Sequence, residues 1–250
     1  MTKPATTLAL AIGNTSLFVG VFAGARLSLA FRLPPDELFR LPRRVPRTLS
    51  TAVLCSVVPA HTPDALRLIR RTWRLEAHVL DAVAPHGLAI GYRRPAELGA
   101  DRVAAALGAH TRFPRRHVIV VDCGTATTVT ALHRDGTVLG GAIFPGLSLW
   151  PGALVARTAQ LPPVEPHRPK SAVGRSPREA IASGVYYGHL GAIRETVARV
   201  RAEAFGRAAV RVIGTGGNAP LFADEKLFDR IEPHLVLEGL RAFAVRRALV

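Results

Sequence analysis

The sequence predicts an α/β fold made of two related halves, and three observations carry that expectation. An apolar strand, a small polar turn and a second apolar strand occur together twice, once in each half of the 250 residues. Around these hairpins, strand-like runs alternate with segments of helical spacing. With 48% hydrophobic and 20% charged residues, the chain carries enough apolar material for one large or two modest globular domains.

The elements follow in order. Leu8 to Phe22 reads as two apolar strands joined at Gly13-Asn14-Thr15-Ser16, a bend of the glycine and hydroxyl residues that such turns use. Thr51 to Val58 is strand-like and stops at Pro59. Asp64 to Trp73 and Ala96 to His110 have helical spacing, the second with Leu98, Val103, Ala106 and Leu107 on one face. His117 to Leu132 repeats the first pattern, with Val118-Ile119-Val120-Val121, the turn Asp122-Cys123-Gly124-Thr125-Ala126-Thr127, and Val129-Thr130-Ala131-Leu132. Superposing Gly13 on Gly124 puts Thr15 on Ala126 and Ala11 on Asp122. A turn recurring once per half indicates a duplicated α/β domain, with an N-terminal half at 1–115 and a C-terminal half at 116–250. Arg178 to Ala204 is the longest helical segment, with Gly188 and Gly191 as candidate break positions. Val210 to Ile213 is a short strand running into Gly214-Thr215-Gly216-Gly217-Asn218.

Composition excludes several classes. Apolar residues spread along the whole chain exclude disorder, and the 22 Gly and 19 Pro without a triplet period exclude a fibrous chain. Two cysteines, Cys55 and Cys123, cannot build a disulfide framework and point to a reducing, cytoplasmic setting. Lys3 followed by apolar Leu8 to Ala25 has the outline of a signal peptide, but Gly13 to Ser16 interrupts it where an h-region must be continuous. No run of about 18 uninterrupted apolar residues occurs, so no spanning helix or membrane partner is expected. The net charge of +15 comes from 33 Lys+Arg against 18 Asp+Glu, and the arginines are scattered in short groups such as Arg43-Arg44 and Arg115-Arg116. With aromatics at 6% and no nucleic-acid motif, the charge suits a basic surface for anionic ligands, and no nucleic acid is expected as partner.

Three turns have the composition of phosphate-handling loops: Gly13-Asn14-Thr15-Ser16, Gly124-Thr125-Ala126-Thr127 and Gly214-Thr215-Gly216-Gly217. Glycine lets the backbone approach a phosphate, and N–H groups and hydroxyls supply donors. None carries the lysine of a P-loop or fits the dinucleotide fingerprint. Two carboxylates stand out. Asp122 ends a Val-rich strand, where it either binds a ligand or bonds its own turn. Asp101, in Gly99-Ala100-Asp101-Arg102, stands at the start of a helix, where the dipole alone would favour it.

Several segments together resemble the type III pantothenate kinases, relatives of the Bvg accessory factor proteins in the actin-like kinase superfamily. They are Gly13-Asn14-Thr15, Ser56-Val57-Val58-Pro59, Tyr92 to Arg102, Asp122 to Thr127, Gly140 to Gly146 and Thr158-Ala159-Gln160-Leu161-Pro162. Gly184 to Gly188, Thr215-Gly216-Gly217 and Leu237-Glu238-Gly239-Leu240 continue the series in family order over nearly the whole chain. The resemblance implies two actin-like (ribonuclease H-like) domains, each a mixed sheet flanked by helices. It implies ATP-dependent phosphorylation of pantothenate to 4′-phosphopantothenate, the first step towards coenzyme A. By resemblance, Asp101 is the general base, and Tyr92 with Gly99, Ala100, Asp101 and Arg102 holds pantothenate. The first turn (Ala11, Ile12, Gly13, Asn14, Thr15, Ser16, Leu17 and Phe18) and Thr125 contact the ATP phosphates, and Asp122 binds a monovalent cation, potassium or ammonium. Mg²⁺ accompanies ATP, and the family's enzymes are homodimers.

Two positions depart from the family's pattern. Its first motif reads Asp-x-Gly-Asn-Thr, with the Asp organising Mg²⁺, and this chain has Ala11 there. At Pro177, in Gly174-Arg175-Ser176-Pro177, the family carries a threonine whose hydroxyl meets pantothenate. Arg94, where relatives often have Asn before Pro95, is a smaller change. The intact Asp101, Arg102, Asp122 and Thr125 favour a working kinase. Ala11 and Pro177 favour an impaired homologue that binds nucleotide as a regulator, and a third alternative is an anion-binding protein reusing the scaffold.

Overall fold

The computed structural model describes residues 5–158 and 160–247; Lys3 and Ala159, both used above, lie outside the described residues. The first half of the chain runs β1 (Thr6–Ile12), β2 (Leu17–Ala23), β3 (Arg26–Leu33), α1 (Leu41–Arg44), β4 (Thr51–Ser56), α2 (Thr62–Trp73), β5 (His78–Val79), β6 (Ala89–Ile90) and α3 (Ala100–Arg112). It continues with β7 (His117–Cys123), β8 (Ala126–Leu132), β9 (Thr137–Pro145), α4 (Leu149–Arg157), α5 (Pro177–Phe205), β10 (Val210–Thr215), β11 (Arg230–Ile231) and α6 (Leu235–Arg246). These elements form two compact units. One takes the residues up to Arg115, Asp135–Val138 and those from His234 onward; the other takes Arg116–Arg134 and Leu139–Pro233.

The two units repeat one topology. In the first unit the strand order is β3-β2-β1-β4-β5, and in the second it is β9-β8-β7-β10-β11. β1 is antiparallel to β2 and parallel to β4, just as β7 is antiparallel to β8 and parallel to β10. Both sheets are mixed and flanked by helices, the fold class the sequence predicts. The hairpins match at residue level. Ala11, one residue before the end of β1, pairs with Phe18 and Cys55, while Asp122, one residue before the end of β7, pairs with Thr128 and Thr215.

In the first unit, successive residues of β1 and β2 face opposite sides of the sheet. Leu8, Leu10, Ile12, Leu17, Val19 and Val21 form one core with Ile69 and Trp73 of α2. The other face is covered by α6, which itself packs on α3. That helix pair crosses backbone to backbone: a methyl group at Gly239 would run into the Ala104 carbonyl oxygen, and one at Gly108 into that of Leu235. Gly239→Ala is therefore expected to force the helices apart and lower unfolding free energy by about 3 kcal/mol, the upper range for overpacking. Denaturant unfolding of the two proteins checks it, and equal midpoints would refute it.

In the second unit, Ile119, Val121 and Val129 pack against Ile181, Val185, Leu190 and Ile193 of α5 and against Phe222. α5 is continuous through both candidate break positions. A lone glycine costs a helix only about 1 kcal/mol relative to alanine. Gly188 serves packing instead, since an added Cβ there would lie 3.0 Å from Trp150 Cζ3. The other expected helix starts later than its spacing suggested: Pro95–Glu97 forms a 3₁₀ turn, and the α-helix begins only at Ala100, after the N-cap Gly99.

Candidate active site

In the first unit, three segments meet where the parallel strands β1 and β4 end at their carboxyl termini, the edge at which α/β sheets bind ligands. The turn after β1 closes through a hydrogen bond from Gly13 N–H to the Ser16 carbonyl, 2.9 Å. Val57, just past β4, donates its N–H to the Ile12 carbonyl at 3.0 Å, which ties the Ser56–Pro59 loop to that turn. The third segment is the start of α3. Gly99 brings it close to the Ser56–Pro59 loop: an added Cβ would stand 2.7 Å from Asp101 Oδ1 and 3.9 Å from Val57 Cγ1.

Asp101 is the second residue of α3. Its Oδ1 accepts the Arg102 N–H at 2.8 Å. Burial raises the pKa of this carboxyl above the ordinary carboxylate value, and the Arg102 N–H and guanidinium hold back part of the rise. Arg102 is only 5% exposed. It donates from Nη1 to the Tyr92 hydroxyl, and its Cζ lies 5.6 Å from the Tyr92 ring centroid. Tyr92, Arg102 and Asp101 therefore form one connected set. Cys55 belongs to the same neighbourhood, because the Asp101 charge adds to burial in pushing its thiol pKa up.

Directly paired residues of adjacent strands share a face of the sheet. The pairs Arg32–Phe18, Phe18–Ala11 and Ala11–Cys55 thus make one row across β3, β2, β1 and β4 at the level of the first turn. Cys55 ends that row beside the start of α3, and Arg32 ends it at the sheet edge.

The second unit has its own convergence of turns. Asp122 lies opposite Thr215 and Thr128. Gly216 adopts φ +86°, which glycine alone takes at little cost, and a Cβ there would collide with Asp122 Oδ1. The Asn218 N–H donates to the Cys123 carbonyl at 3.0 Å, and the Gly146 N–H to that of Thr125 at 3.0 Å. The Gly124 and Gly214 turns and the end of β9 therefore surround one carboxylate. Behind it, Thr127 Oγ1 and His189 Nε2 are 3.1 Å apart, and burial lowers the His189 pKa to about 4, which keeps that imidazole neutral.

The structure joins Ala11 to Phe18 with Tyr92 and Gly99 to Arg102 in one unit, and Asp122 with Thr125 in the other. Pro177 has a different setting, as the first residue of α5. Ser176 is its N-cap, with Oγ accepting the Glu179 N–H at 3.3 Å, while Glu179 Oε2 accepts the Arg175 N–H at 2.7 Å. That N-cap, with the Glu179 carboxylate on the preceding Arg175 N–H and proline at the first helical position, is a strong helix start. It also engages the Ser176 hydroxyl in the cap. Arg32, Cys55 and Gly146 were not among the expected site residues; the alternation over Arg26–Leu33 was the one signal that could have drawn attention to Arg32. Among the described residues, no group of three or more His, Cys, Asp or Glu side chains could cage a metal ion.

Comparison with known proteins adds sequence and fold likenesses. A family model described as Type III pantothenate kinase matches residues 7–199. A type III pantothenate kinase of Legionella pneumophila (strain Corby) is 40% identical over 250 residues, spanning 95% of this chain and 98% of its own. One from Geobacter sulfurreducens is 36% identical over 248 residues, spanning 94% and 96%. Among solved structures, a Baf family protein from Campylobacter jejuni, described as a transcriptional activator, superposes with a TM-score of 0.65 at 19% identity, over 97% of this chain and 100% of its own. A 2-dehydro-3-deoxygalactonokinase protein from Sinorhizobium meliloti does so with 0.59 at 16% identity, over 96% and 99%. The fold is that of the actin-like ATPases and sugar kinases.

Proposed function

The chain belongs to the type III pantothenate kinase family, and from that premise we propose that it phosphorylates pantothenate with ATP through Asp101 as general base. The observation that carries this reading is the Asp101 carboxylate, half-buried, raised in pKa and linked through Arg102 to Tyr92. A base of elevated pKa accepts a proton more readily than an exposed aspartate does. In the reaction, the pantothenate hydroxyl oxygen attacks the γ-phosphorus of ATP while Asp101 takes the hydroxyl proton. The bond from that phosphorus to the bridging oxygen breaks, and ADP leaves. Tyr92 and the buried Arg102 guanidinium orient the polar groups of pantothenate, and Gly99 leaves room for the base.

Phosphoryl transfer depends mainly on positioning and on neutralising charge around the moving group. The first turn holds the ATP phosphates with backbone N–H groups and hydroxyls. Ala11 gives the first turn no carboxylate, so at this turn coordination of a Mg²⁺ ion would fall to the ATP phosphates and water, and the ion would supply charge neutralisation there. The carboxylate available to a monovalent cation is Asp122, with Thr215 and Thr128 beside it in the sheet. A homodimer is part of the same proposal, supported by the exposed Leu139, Ile143, Leu149 and Tyr187 of the second unit. Among the described residues, no helix is long and apolar enough to cross a membrane, and a cytoplasmic setting belongs to the same proposal.

Ala11 and Pro177 favour a second reading, a nucleotide-binding homologue with impaired turnover. Pantothenate-dependent ADP release by the purified protein, with Mg²⁺ and K⁺, separates the two. Turnover above background with 4′-phosphopantothenate confirmed by mass is expected. A folded protein that binds ATP without turnover would overturn the first reading and leave the second.

A further inference from the structure

Arg32 is the cation of the cross-strand row. It is exposed on the edge strand β3, directly opposite Phe18. Its Cζ lies 3.8 Å from the centroid of the Phe18 ring, and its Nη1 donates to Ser16 Oγ at 3.2 Å. Phe18 is itself 8% exposed and stands 5.8 Å from the His234 ring, so the platform under the guanidinium is fixed by the core. An aromatic ring takes the face of a guanidinium, whereas the N–H groups point outward in its plane towards oxygen acceptors. Arg32 is thus held over a core-anchored ring with Nη1 donating into the turn that begins at Gly13. Beyond Phe18 in that row stands Ala11, which cannot anchor a cation.

We propose that Arg32 is a nucleotide-binding residue, whose guanidinium donates to a phosphate oxygen of ATP at the Gly13–Ser16 turn and supplies there positive charge that Ala11 cannot recruit. The proposal rests on the reading above that this turn holds the triphosphate. Planar, charge-assisted donors suit phosphate oxygens, and their effect scales with the charge of the ligand. Arg32 therefore discriminates between a nucleoside triphosphate and an uncharged nucleoside.

The test measures binding of ATP and of adenosine to the purified full chain by calorimetry, alongside melting temperature. Three variants are compared with the wild type: Arg32→Gln, Arg32→Lys and Gly13→Val, the last crowding the Ser16 carbonyl. Arg32→Gln is expected to weaken ATP binding at least about tenfold, the loss of one charge-assisted hydrogen bond, with adenosine binding changed less than about twofold. Arg32→Lys is expected to fall between, keeping the charge without the fork, and it carries the same comparison should the Gln variant fail to fold. If Gly13→Val loses ATP and Arg32→Gln does not, the turn reading stands and the Arg32 proposal falls. If neither variant loses ATP, or the wild type binds none, the turn reading fails and takes the proposal with it. Equal losses for ATP and adenosine would mean that Arg32 only braces Phe18, which also overturns the proposal.

Discussion

Asp101→Asn is expected to remove pantothenate-dependent ADP release, lowering kcat by about 10²–10⁴-fold, the range that a positioned base supplies. Asparagine keeps an oxygen to accept the Arg102 N–H but cannot take a proton. The substitution should not cost stability. Burial raises the Asp101 pKa in the folded protein, so the folded state favours the protonated carboxyl. The stability this group contributes is then fully present below the unfolded-state pKa and is lost as pH rises through the folded-state pKa. Burial penalises the charged carboxylate, and a neutral amide relieves that cost. A wild-type melting temperature, or a higher one, together with lost turnover would separate chemistry from folding. The same shift sets the pH profile. The acid limb of kcat/KM should lie above the ordinary aspartate value, with activity rising as Asp101 deprotonates, and the Asn variant should lose that limb. Retained turnover in Asp101→Asn would sink the role of Asp101 as base.

Much of this architecture is legible in the chain because its signals are local. The two hairpins announce themselves by apolar runs around glycine and hydroxyl turns, and the match of Ala11 to Asp122 needed only a superposition of Gly13 on Gly124. What was not legible depends on contacts between distant residues. α6 is anchored on α3 through Gly239 against Ala104 and Gly108 against Leu235, pairs more than a hundred residues apart, so nothing local marked it. β9 contains Gly140 and Gly141 at φ +136° and +152°, a composition that reads as a loop until a neighbouring strand supports it. The expected helix from Ala96 begins four residues later because Pro95 opens a separate 3₁₀ turn, while Asp101, expected at a helix start, is the second residue of α3, near Cys55. Asp101 and Asp122 could be singled out as carboxylates in unusual company. The burial of one and the glycine packed against the other could not.

Ala11→Asp tests how much the missing carboxylate limits the enzyme, and it is expected to raise turnover by about 10²–10³-fold at saturating Mg²⁺-ATP. That is the effect of about 3–4 kcal/mol of added charge stabilisation in the transition state. Position 11 offers a new carboxylate little support of its own. Its sheet neighbours are Phe18 and Cys55, whereas the equivalent Asp122 has Thr128 and Thr215. A half-buried carboxylate without hydroxyl donors in its row is costly to desolvate, so the free variant should melt lower than wild type. Mg²⁺-ATP should then raise its melting temperature more than it raises that of the wild type, because the ion is what the new group binds. A second negative charge near Cys55 would also reach Asp101, raise its pKa further and move the acid limb of the profile to higher pH. Rate gain, larger metal-nucleotide stabilisation and a shifted acid limb together would locate the deficit at this one residue. A variant that gains none of them would place the limit elsewhere, and Pro177, at the start of α5, is the position to change next.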